Sequence, residues 1–207
     1  MKRKEILEFI EQEKIVAIIR LNEQIKAPHV VKNLILGGIK VLEITSNTPG
    51  YLDEINNARR LYPNVLVGAG TVTDTRIAEN AIKAGAQFLV TPNTNKAIVT
   101  EAHKYDIPVL MGALTPTEVC LAVEYGADIV KLFPAGNLGI DYFKAIRGPF
   151  NHVKFFIVGG IDLNNMQDWI EAGALGFGIG GSLMGSNENK EDIAKRVAKF
   201  IKLVKEI

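Results

Sequence analysis

Tyr125-Gly126-Ala127-Asp128-Ile129-Val130-Lys131-Leu132-Phe133-Pro134-Ala135-Gly136 is the stretch on which the reading of this chain turns. A glycine just past a helix end supplies a left-handed cap, and the apolar run after it is what a strand buried on both faces requires. The same step recurs at Gly37-Gly38 before residues 39–44, Ala84-Gly85-Ala86 before 87–90, and Ala172-Gly173-Ala174 before 175–179. The intervals are about 40 to 50 residues, the length of a two-unit repeat. Between these steps lie further strand-like runs at 15–19, 65–67, 109–111 and 155–158. Segments of helical periodicity, such as 25–36, 75–84, 116–125 and 163–172, separate them. Strict alternation of strand and helix implies parallel strands with helical crossovers. Eight such units, with no break in composition, favour a compact (βα)8 TIM barrel over an open sheet. At about 25 residues per unit it stands near the small end of the usual range. A helix before Ile15 is an extra N-terminal element. Another follows Asn187, with Ile193, Val197, Phe200, Ile201 and Val204 on its apolar face. One domain over residues 1–207 is expected.

The chain has 207 residues, 24 Lys and Arg against 23 Asp and Glu, and 47% apolar residues. A net charge of +1, with no basic cluster, argues against nucleic acid as a partner. The lone Cys120 leaves no internal disulfide to form. Residues 1–13 mix Ile6, Leu7, Phe9 and Ile10 with Glu8, Glu11 and Glu13, an amphipathic helix rather than a secretion signal. The most apolar stretch, 173–185, is Gly-rich and shorter than the ~18 residues that suggest a membrane span. The expectation is a cytoplasmic protein with no membrane partner.

In a barrel, reactive groups belong at the C-terminal ends of strands and in the loops after them. Lys40 and Lys154 begin their strands and fall at the opposite rim, in solvent. Lys131 lies late in its strand among apolar neighbours. Desolvating an ammonium is costly, so burial drives the amine toward neutrality. A neutral amine in a dry pocket is the nucleophile that forms a Schiff base with a carbonyl. The bland alternative is a lysine that snorkels out or pairs with a carboxylate. Glu43 has the same character, and strand period two puts it on one face with Val41 and Thr45. A carboxyl raised in pKa by apolar walls takes and returns a proton, although the two residues could also form a structural ion pair.

Gly159-Gly160 and Gly180-Gly181-Ser182 follow the last two strands, where barrels commonly build a phosphate site from backbone N–H groups. Thr71 and Pro92 end strands 3 and 4, positions suited to a pocket wall or to an ordinary turn. Phe133 would give Lys131 an apolar neighbour. Of the candidate cations for an anionic substrate group, Arg20 at a strand end is preferred to Arg147 in a surface helix. His29, His103 and His152 match no ligand spacing and are read as surface residues, so no metal is expected. Cys120 is read as a filler of the core and Trp169 as packing.

Val41-Leu42-Glu43-Ile44-Thr45, Val67-Gly68-Ala69-Gly70-Thr71, Thr91-Pro92-Asn93, Gly112 through Glu118, Ile129 through Ala135 and Gly159-Gly160-Ile161 together resemble the 2-keto-3-deoxy-6-phosphogluconate (KDPG) and 4-hydroxy-2-oxoglutarate aldolases. The resemblance covers essentially the whole chain in order. It implies a class I aldolase that needs no metal or other cofactor, usually a homotrimer. Its substrates would be a keto acid and a phosphosugar, cleaved to pyruvate and glyceraldehyde 3-phosphate in the Entner–Doudoroff route. By the same resemblance Lys131 is the Schiff-base lysine and Glu43 the acid/base. Thr71, Pro92 and Phe133 line the pocket, and Gly159, Gly160 and Ser182 hold the phosphate, with Gly181 joined to them as a member of the second glycine cluster. One position departs: many phosphogluconate-type members carry arginine where Asn47 stands, and galactonate-type members carry asparagine in a comparable loop. Arg20 is then expected to take the substrate carboxylate, with Asn47 as a neutral donor. Two rival readings use the same barrel: a phosphosugar isomerase, epimerase or synthase, and a silent phosphometabolite-binding protein. Neither needs a desolvated Lys131.

Overall fold

The structure is a computed structural model that describes residues 1–185 and 190–205. Eight parallel strands close into a barrel in sequence order: β1 (Ile15–Ile19), β2 (Val41–Thr45), β3 (Leu66–Gly70), β4 (Leu89–Val90), β5 (Val109–Ala113), β6 (Ile129–Leu132), β7 (Phe155–Val158) and β8 (Gly176–Ile179), with β8 pairing back to β1. The crossover helices are α2 (Ala27–Leu36), α3 (Tyr51–Leu61), α4 (Thr75–Lys83), α5 (Lys96–Lys104), α6 (Pro116–Glu124), α7 (Gly139–Arg147) and α8 (Met166–Glu171). After β8 come a four-residue helix, α9 (Gly181–Met184), and the long α10 (Lys190–Lys205). Asn187, from which the sequence reading began that last helix, lies outside the described residues. No helix among the described residues is long and apolar enough to cross a membrane.

The strands divide their side chains between two apolar clusters with period two. Ala17, Leu42, Val67, Leu89, Val109, Val130, Ile157 and Phe177 face outward and pack with the helices. Val16, Val41, Leu66, Val90, Leu110, Ile129 and Phe156 face inward at the N-terminal end of the barrel. That end is closed by α1 (Arg3–Glu13), whose Ile6 and Ile10, one helical turn apart, are buried against the inner cluster. Ion pairs fasten the plug at its rim: Arg3 to Asp128 at 3.4 Å, Glu13 to Lys40 at 3.4 Å and Glu11 to Lys154 at 2.6 Å. Of the long α10, Ile193, Val197, Phe200 and Val204 are buried. It lies against α2, where a side chain on Gly37 would collide with Val197.

Three local expectations change. Cys120 is exposed, because α6 buries Val119 and Ala122 and turns Cys120 outward. His103 is only one-quarter exposed, its Nε2 3.1 Å from the carboxylate of Asp128. Helix α8 starts at Met166 rather than 163, since Asp162 accepts from the N–H groups of Asn164 and Asn165 and holds a turn there. Arg147 lies in a helix as expected: it ends α7 and donates to Ala172 O at 2.8 Å, tying two helices together. Trp169 is buried as packing.

Candidate active site

Two charged side chains stand in the middle of the strand walls. Glu43 is the third residue of β2, in register with Ile18 of β1 and Gly68 of β3, and is 2% exposed. Lys131 is the third residue of β6, in register with Gly112 of β5 and Phe156 of β7, and is 4% exposed. Strands 2 and 6 lie half a barrel apart, so their inward side chains converge from opposite walls. Inward glycines make the space: a side chain on Gly70 would run into the carboxyl of Glu43, and one on Gly112 into the backbone of Pro92.

Among the described residues no ion pair joins Glu43 and Lys131, and Glu43 Oε1 is buried without a hydrogen-bond partner. Burial pushes the Glu43 carboxyl up, against the smaller opposing pull of the Lys131 and Arg20 charges. Burial likewise holds the Lys131 amine below the ordinary lysine range; Glu43 opposes this and Arg20 adds to it. The result is an amine inclined to be neutral facing a carboxyl inclined to keep its proton. Lys131 Nζ lies 4.9 Å from the ring centre of Phe133.

A cavity of about 340 Å3 opens at the C-terminal ends of β1, β6, β7 and β8. Arg20, Lys131, Phe133, Gly159, Gly160, Gly181 and Ser182 all line it. Gly159 and Gly160 have φ of +94° and +76°, values that side chains resist, and Gly159 O accepts from Gly136 N at 2.8 Å. The amides of Gly181 and Ser182 open α9, where no carbonyl of a preceding helical turn is available to them. Asn47 is exposed in the β2–α3 loop and is not among the lining residues. Pro92 is half-buried, with its backbone against the inner side of Gly112, and is not among the lining residues of this cavity; its neighbour Thr91 donates to Asn93 O at 2.6 Å and accepts from Gly112 N at 2.9 Å. Thr71 joins the site through Arg20, whose Nη2 donates to its Oγ at 3.2 Å.

Thr71 also carries a strain signal: its φ is +54°, an outlier for a β-branched residue and of the kind that gathers at functional sites. Sequence reasoning assigned no role to Ile18, Val158, Ile161 and Met184, the apolar lining of the cavity. It also passed over Gly70, although the period-two alternation in Val67-Gly68-Ala69-Gly70 already placed both glycines inward.

A protein-family model described as KDPG and KHG aldolase matches residues 6–199 of the chain. The 2-dehydro-3-deoxy-phosphogluconate aldolase of Treponema pallidum (strain Nichols) is 34% identical over 166 residues, 80% of this chain and 79% of the relative. The 2-dehydro-3-deoxy-6-phosphogalactonate aldolase of Escherichia coli (strain K12) is 33% identical over 171 residues, 82% of this chain and 83% of the relative. The crystal structure of KDPG aldolase from Legionella pneumophila, with pyruvate captured at low pH as a covalent carbinolamine intermediate, is similar with a TM-score of 0.80 and 26% identity, over 95% of each chain.

Proposed function

The chain belongs to the KDPG and KHG aldolase family, and from that premise we propose that it cleaves a 2-keto-3-deoxy-6-phospho-sugar acid to pyruvate and glyceraldehyde 3-phosphate through a Schiff base at Lys131. The observation that carries this reading is the pair Lys131 and Glu43, both buried inside the barrel and neither neutralising the other at contact distance. A structural ion pair would have closed that gap.

The neutral amine of Lys131 attacks the C2 ketone with its lone pair to give a carbinolamine. The protonated Glu43 gives its proton to the C2 hydroxyl, which leaves as water; a protonated imine forms and Glu43 is left as the carboxylate. The carboxylate of Glu43 accepts the C4 hydroxyl proton, and the C4–O electron pair closes to the aldehyde. The C3–C4 pair then passes into the cationic imine as an enamine. Glu43 returns its proton to C3, and water hydrolyses the imine to release pyruvate and restore Lys131. A carboxyl held above its usual range suits this double duty.

In this reading Arg20 binds the substrate carboxylate, with Asn47 as a neutral donor at the rim. Thr71, Pro92 and Phe133 shape the pocket. Gly159, Gly160, Gly181 and Ser182 receive the phosphoryl group. The closeness of both a gluconate-type and a galactonate-type relative supports the phospho-sugar acid class. A homotrimer, a cytoplasmic location and a place in the Entner–Doudoroff route complete the proposal and rest on the family resemblance.

Borohydride reduction with pyruvate, followed by peptide mass mapping, tests it. The expected result is a reduced pyruvyl adduct on Lys131. No adduct, or one on a different lysine, overturns the assignment in favour of proton-transfer chemistry or a silent binding protein.

A further inference from the structure

Arg20 is exposed at the end of β1, yet the chain on both sides of it is pinned by the segment that follows Glu43. Ile19 O accepts from Thr45 Oγ at 3.1 Å and from Thr48 Oγ at 3.3 Å. Leu21 N donates to the same Thr48 Oγ at 3.1 Å. One hydroxyl therefore binds the carbonyl before Arg20 and the amide after it. Thr45 and Thr48 lie 3.0 Å apart and are 0% and 1% exposed, so water does not compete for these bonds.

The other end of the arginine is held by the same segment at one remove. The guanidinium donates to Thr71 Oγ. Thr71 presents that oxygen from a left-handed backbone, and its carbonyl accepts from Ser46 Oγ at 2.7 Å. Ser46 N donates to Gly70 O at 2.8 Å, completing a two-point clasp on the carbonyls of Gly70 and Thr71. Such a conformation is disfavoured for threonine and persists where surroundings over-determine it. Asn47, between Ser46 and Thr48, is exposed. The loop therefore acts through its hydroxyls on the cation of the neighbouring strand.

We propose that Ser46 and Thr48 are positioning residues that set Arg20, Thr48 through its backbone and Ser46 through Thr71, for the carboxylate of the keto acid. The proposal rests on the reading of Arg20 as the carboxylate ligand. Preorganising a long side chain reduces what is lost on binding, so the effect belongs in pyruvate affinity and not in the covalent step.

The experiment measures the pyruvate concentration for half-maximal borohydride inactivation, and the limiting rate, with the full chain. Arg20→Ala is expected to raise that concentration about tenfold or more, as for a lost hydrogen bond to a charged group. Thr48→Val, which keeps the volume, should raise it about three- to tenfold and Ser46→Ala about threefold, each with a limiting rate within about twofold of wild type. Thr48→Ser should restore affinity. In the Arg20→Ala background neither substitution should add anything, which a merely structural role would not produce. Unchanged affinity in both Thr48→Val and Ser46→Ala, or the same loss with and without Arg20, overturns the positioning role while leaving Arg20 as ligand. Unchanged affinity in Arg20→Ala overturns the carboxylate reading and the proposal with it. Should Thr48→Val not fold, Ser46→Ala at its half-buried position decides alone.

Discussion

The two ends of this barrel use the same strands to opposite purposes. At the N-terminal end, Lys40 and Lys154 each meet a glutamate of α1, and the interior is filled by Ile6, Ile10 and a ring of apolar side chains. At the C-terminal end, Lys131 and Glu43 are more deeply buried than either of those lysines but are not paired with each other. Thr71 is held at a positive φ there, and glycine loops edge a cavity. One end satisfies its charges and fills its space, while the other keeps charges desolvated and space open. On the proposed function, stability is drawn from the plugged end and chemistry from the open one.

The sharpest way to break this contrast is Glu43→Gln. Turnover should fall by about 10²- to 10⁴-fold, the usual weight of a general acid/base, in a steady-state assay of pyruvate release. Pyruvate trapping on Lys131 should survive, with its acid limb displaced to lower pH, because the Glu43 charge normally raises the Lys131 pKa. The variant should also melt higher near neutral pH. A carboxyl whose folded pKa lies above 4.5 is fully accommodated below that pH, and stability is lost as pH rises toward the folded value. Glutamine removes that loss. An unchanged Tm would mean that burying Glu43 costs the fold nothing, and a lower one that Glu43 stabilises it.

Ile10→Ala, at the plugged end, should cost about 2–5 kcal/mol by denaturant unfolding, since it empties a fully buried site. Its turnover below the melting transition should stay within about twofold of wild type. A large drop in turnover at full folding would show that the plug shapes the mouth. Lys40→Ala removes a half-exposed rim pair and should change stability by about 1 kcal/mol or less, with less effect still at high salt. A larger loss would mean that the α1 ion pairs act as a unit.

Most of the architecture was legible because burial on both faces, period two and glycine caps are local properties of a strand and its neighbours. Glu43 and Lys131 stood out for the same reason, as charges inside runs that otherwise carry none. Other parts of the site were not legible. Thr45 reads as a strand residue and Ser46 and Thr48 as turn residues, and only the fold shows their hydroxyls reaching Ile19, Leu21 and Thr71 on two other strands or their loops. Cys120 sits in an apolar run and still faces outward, since the local pattern does not say which side of α6 meets the barrel.

The sequence by itself therefore determined that the chain alternates strands and helices, which residues are desolvated and which end of each strand carries reactive groups. Only the tertiary structure decided that residues 88 positions apart converge unpaired, that Gly70 yields its space to a carboxyl, and that one loop braces the arginine of another strand. The physical reason is range: backbone preference and burial periodicity act over a few residues. Convergence across a closed sheet depends on strand register and on the combined packing of all eight units.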